Sequence, residues 1–160
     1  MRSLSIATGL ALVSSLAFRP FVPQETASDP CTLLTAKEVS DILGIKSLPG
    51  RPWFGTSKTV CFFSADTTYE LTARTATLQI VTPEAFNFGK QMSTQGPLAG
   101  RSAGVGDESY YVSGGSYAKL GVRKGDRAFS ITVTLGAGKG TPDQIADLEK
   151  ALAKDAVARL

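Results

Sequence analysis

Apolar and polar positions along the chain change period several times, and each change marks an element. Val39, Ile42 and Leu43 recur at helical spacing behind Thr35-Ala36-Lys37-Glu38. There the threonine hydroxyl can take an orphan N–H, and the glutamate can reach back to the cap. With Gly44 stopping the turn, the pattern predicts a helix over 35–43. A Gly/Pro-rich loop covers 47–58, and the β-branched and aromatic stretches 59–64 and 71–81 predict strands. In the second, Leu71 and Ala73 fall on one parity and Ala76, Leu78 and Ile80 on the other. A bulge near Arg74-Thr75 is expected to bring both sets to one face.

Thr82 and Pro83 open a second helix with Ala85, Phe86, Phe88 and Met92 as its apolar members. Beyond a glycine-rich loop over 96–106, strands are expected at 109–112, 117–123 and 127–135, the last two joined by a tight turn at Lys124-Gly125-Asp126. The last strand alternates most cleanly, with Phe129, Ile131, Val133 and Leu135 on one side and Ser130, Thr132 and Thr134 on the other. Thr141-Pro142-Asp143-Gln144 then caps a final helix whose stripe is Ile145, Leu148, Leu152 and Ala156. The order α-β-β-α-β-β-β-α predicts an α+β fold: a single antiparallel sheet of about five strands, with helices packed on one face.

Charge at the amino end adds an address. Arg2 followed by the uncharged run 4–16 and the small residues Ser15 and Ala17 reads as a signal peptide over 1–17. The run is shorter than the roughly 20 residues a membrane span needs. Residues 18–30, with three prolines, read as a flexible leader, and 31–160 as a single domain. The expected location is therefore periplasmic or extracellular, with no transmembrane span in the mature chain. A lipid anchor at Cys31 is not expected, because Ser28-Asp29-Pro30 precedes it where a small apolar run is wanted. In an exported chain the two cysteines, Cys31 and Cys61, are expected to pair.

Composition narrows the chemistry. With no histidine, Ser-His-Asp and Cys-His catalysis and His-ligated zinc are excluded. A net charge of +3, spread along 160 residues, does not suggest nucleic acid. Gly136-Ala137-Gly138-Lys139-Gly140-Thr141 looks like a phosphate loop, but Val133 stands where the leading glycine belongs, so a strand-to-helix turn is expected. No metal or cofactor is implied. The outer side of the sheet would carry Thr75, Thr77, Gln79, Lys119, Arg123, Ser130, Thr132 and Thr134, a hydroxyl-rich surface with two cations. Trp53 and Phe54 could act beside it as contact anchors, or fold back to cover it. Further cover is expected from the cysteine-tethered N-terminal segment.

Asp29-Pro30-Cys31-Thr32-Leu33-Leu34-Thr35 with Glu38-Val39, Leu43-Gly44 and Cys61, then Gly104-Val105-Gly106-Asp107-Glu108-Ser109-Tyr110-Tyr111 and Leu120-Gly121-Val122-Arg123-Lys124-Gly125, carry a resemblance over about residues 29–135. The pattern is similar to small exported bacterial proteins of uncharacterised families, often lipoproteins, some of which look like the Mog1/PsbP-type α-β-α sandwich. The resemblance implies a binding or accessory role and carries over no catalytic residue. The expected function is a non-enzymatic binding domain of the cell envelope, its partner a protein, an envelope polymer or a small apolar ligand. The alternatives are a hydrolase using acids such as Asp107 and Glu108, or an inhibitor of an exported protease acting through the Trp53 loop.

Overall fold

The structure is a computed structural model that describes residues 29–55, 57–67 and 73–160. The expected signal peptide, most of the leader, and Leu71 and Thr72 lie outside the described residues.

Both capping boxes form. Thr35 and Glu38 cap α1 (Ala36–Leu43), which ends at Gly44 in the left-handed region. Thr141 and Gln144 cap α3 (Pro142–Val157). Thr82 caps α2 (Pro83–Met92). The strands are β1 (Arg51–Pro52), β2 (Val60–Ser64), β3 (Arg74–Val81), β4 (Glu108–Gly114), β5 (Tyr117–Lys124) and β6 (Arg127–Leu135). They form one antiparallel sheet in the order β1-β2-β3-β6-β5-β4.

The α+β class is as expected, but the sheet has six strands rather than about five. The extra one is the two-residue β1 inside the Gly/Pro-rich loop, paired to Phe62 and Cys61 of β2. Pro52 is tolerated there because β1 is an edge. No bulge interrupts β3 at Arg74-Thr75, which pair in register with Leu135 and Thr134.

The helices are not confined to one face. Leu78, Leu120, Val122, Phe129, Ile131 and Val133 form the main core with α1 and α3, through Val39, Leu43, Ile145 and Leu152. On the opposite face α2 presses Phe86 onto Tyr110 and Ala128. Tyr110 lies between two glycines: a Cβ on Gly121 of β5 would stand 2.4 Å from its ring, and one on Gly89 of α2 would stand 2.0 Å from its hydroxyl oxygen. Absence of side chains at these two positions lets helix, tyrosine and strand stack.

The Cys31–Cys61 disulfide is present, with Cα atoms 5.1 Å apart. It anchors a short 3-10 turn (Pro30–Thr32), and Leu33 and Leu34 follow into the main core. The tethered segment thus covers the α1/α3 face, not the hydroxyl-rich face expected from the sequence, because Cys61 pairs with Leu78 and shares its side of the sheet.

Candidate functional site

The register places most of the candidate polar residues on one face. Arg51, Phe62, Thr77 and Thr132 form one cross-strand row. Lys119, one residue past the last β5–β6 pair, continues it by strand alternation. Ser64, Thr75 and Thr134 form the next row, and Gln79 and Ser130 belong to a third. These rows are less open than the sequence suggests. Thr75, Ser130, Ser64 and Phe62 are buried, while Thr77, Gln79, Lys119, Thr132 and Thr134 are half-buried.

Trp53 and Phe54 adjoin this face and take different roles. The Trp53 ring meets Phe62 edge-on, with centroids 4.9 Å apart, and so folds back over the sheet. Phe54 packs edge-on against Trp53 at 5.0 Å yet stays 67 % exposed. Its backbone sits at φ 51°, the left-handed region that costs a residue with a Cβ about 1 kcal/mol. Arg51, which the sequence reading missed, places its guanidinium 5.1 Å from the Phe62 ring centroid. The readable signal for Arg51 and Phe62 was the parity of Phe62, opposite to Cys61. That parity gains its meaning from the pairing of Arg51 in β1 with Phe62.

Arg123 does not join the candidate surface. Its Nη2 donates to Glu108 at 2.6 Å, and its guanidinium lies 5.7 Å from the Phe86 ring. It is a structural ion pair beside α2.

Asp107 and Glu108 line a cleft of about 410 Å3, together with Lys90, Arg101, Ser102 and Tyr110. Glu108 accepts from Lys90 at 3.0 Å as well as from Arg123. The Lys90 hydrogen bond, with help from Arg123, holds its carboxyl below the usual range. Asp107 accepts the Gly125 amide at 2.7 Å and donates its own amide to the Arg123 carbonyl, so it clamps the β5–β6 turn. The Gly136–Gly140 loop is a turn: the Lys139 amide donates to the Gly136 carbonyl, and the Thr141 amide is taken by Gln144. These two amides are occupied and cannot cradle a phosphate.

Among the described residues no group of three or more cysteine and acidic side chains could hold a metal ion, and no helix is long and apolar enough to cross a membrane. No family model, no curated protein and no solved structure matches the chain.

Proposed function

We propose that the protein is an exported, disulfide-stapled, non-enzymatic binding domain of the bacterial cell envelope, recognising its partner through the sheet face opposite α1 and α3. The observation that carries this reading is the continuous run of Trp53, Phe62, Thr77, Thr132 and Lys119, with exposed Phe54 at one end. An aromatic anchor beside hydroxyls and a cation suits an extended polar partner, a protein segment or an envelope polymer, better than a small apolar ligand. The Cys31–Cys61 bond is compatible with an oxidising compartment, and the resemblance to small exported proteins supports the same address.

The hydrolase reading would place Asp107 and Glu108 in an acid–base pair. It needs one carboxyl kept protonated, whereas Lys90 and Arg123 favour the ionised Glu108. Inhibition of a protease through the Trp53 loop uses the same aromatic anchors and differs only in the identity of the partner.

Native mass spectrometry of the mature protein taken from its own envelope tests the reading. The expected result is a discrete added mass, lost when Thr77→Lys and Thr132→Lys are combined and the melting temperature is unchanged. A chain of bare mass, or an adduct that the double variant retains, contradicts it.

A further inference from the structure

A cleft of about 620 Å3 opens away from the hydroxyl-rich face, where the end of α1, the start of β3, the Gly136–Gly140 loop and the first turns of α3 meet. Its size falls within the range of small-molecule sites. Ile42, Leu135 and Leu148 give it an apolar floor, each packed on the core yet only partly buried. Two cations line it. Arg74 is oriented by donating from Nη1 to the Leu43 carbonyl at 3.0 Å. Lys139 rises from the Gly136–Gly140 loop and has no ion pair among the described residues.

Two acids line it as well, and they set the charge a ligand can carry. Asp41 is paired with Lys37 at 2.6 Å, so of the two acids lining the cleft Asp147 is the one with no ion pair among the described residues. One positive charge therefore remains in surplus. A polyphosphate would meet Asp147 with more negative charge than the cleft can balance, and an uncharged chain would leave both cations unused.

The geometry points to a binding site for a monocarboxylate with an apolar tail, its carboxylate between Arg74 and Lys139 and its tail over Ile42, Leu135 and Leu148. Both a fatty acid and the free C-terminus of an apolar peptide have this chemistry. The site is separate from the sheet face and stands whether or not that face binds a partner.

Amide-resolved NMR titration of the disulfide-intact protein with decanoate tests it. The arms are acetate, decanol, and an acetylated Leu-Leu-Val peptide with either a free or an amidated C-terminus. Decanoate or the free-acid peptide should shift amides at 41–44, 74, 135 and 139–148, and the tighter of the two identifies the source. Lys139→Gln, which removes no backbone contact, and Arg74→Gln should each weaken binding about tenfold, as expected for one lost charge-assisted contact. Saturable shifts elsewhere only, equal binding of decanol, or unchanged affinity in Lys139→Gln would overturn the assignment. So would the absence of shifts with both acids at millimolar concentration.

Discussion

The carboxyl of Glu149 accepts the backbone amide of Val133 at 3.1 Å, just past the point where β5 stops pairing with β6. Glu149 thus takes over a ladder bond from the neighbouring strand. It is fully buried, and its second oxygen has no hydrogen-bond partner among the described residues. Burial pushes its carboxyl up to about 9, against the opposing effects of the Val133 amide and Lys119. Tyr111 and Tyr117 also feel its charge, and the Tyr111 hydroxyl, bonded to the Ala146 carbonyl, is pushed up to about 12, chiefly by burial.

A raised native value means the folded protein holds the proton more tightly than the unfolded chain does. The associated stability is full below the ordinary carboxylate value, falls as pH rises, and is lost by about pH 9. Near neutral pH this costs the fold up to about 3 kcal/mol relative to acid conditions. Glu149→Gln keeps the acceptor for Val133 and cannot ionise, so its melting temperature should stay flat from pH 5 to 8 where the native protein's declines. Equal slopes in the two proteins would refute this. Relative to Glu149→Gln, Glu149→Leu strands the Val133 amide and should lose about 1–3 kcal/mol at all pH values.

The opposite slope belongs to Glu38. Arg159 Nη1 donates to its Oε2 at 3.0 Å, and Arg159 Nη2 pairs with Oε1. The same carboxylate accepts the Thr35 amide at 2.8 Å. Arg159 is the main reason its carboxyl is lowered to about 2. Here the native value is depressed, so the stability is present above the ordinary value and drains away as pH falls toward 2. Arg159→Ala should cost about 1 kcal/mol at pH 7, by urea titration, and should shrink the loss below pH 4. Together the two acids put the stability maximum near pH 5.

Tyr110 offers a packing test. Gly121→Ala should cost about 1–3 kcal/mol, since the added methyl meets the ring and neither α2 nor β5 can retreat without losing contacts. In combination with Tyr110→Leu the penalty should shrink, a coupling that chemical denaturation of the four proteins of the cycle would show. Additive losses would mean the ring can move aside.

Reduction tests the staple. Closing a loop of this length is worth about 3–4 kcal/mol in the chain-entropy account. Thiol titration of the native protein without reductant should find no free sulfhydryl, and Cys31→Ser with Cys61→Ser should lower the melting temperature by about 10 °C. The effect should be confined to stability, because Leu33 and Leu34 still have the core to enter.

What the sequence made legible were the features encoded locally. Capping boxes at Thr35 and Thr141 located both helix starts, and the alternation of 127–135 located β6. β1 escaped because two residues, one of them proline, carry no period. The side chosen by α2 escaped because its apolar residues form no single stripe: Phe86 is buried while Phe88 and Met92 are 65 % and 58 % exposed. Parity alone points Arg123 to the binding surface, and its partner Glu108 is set by β4–β5 register, a non-local relation. For the same reason the Arg74–Lys139 cleft went unread, since its residues come from four separate segments.

Site-specific photo-crosslinking in living cells tests recognition by the sheet face most directly. A benzophenone side chain placed at Thr77 or Thr132 should give one adduct of fixed mass, and the same probe at Lys154, on the exposed side of α3, should give none. Adducts equally frequent at all three positions, or none at the two threonines, would contradict the account.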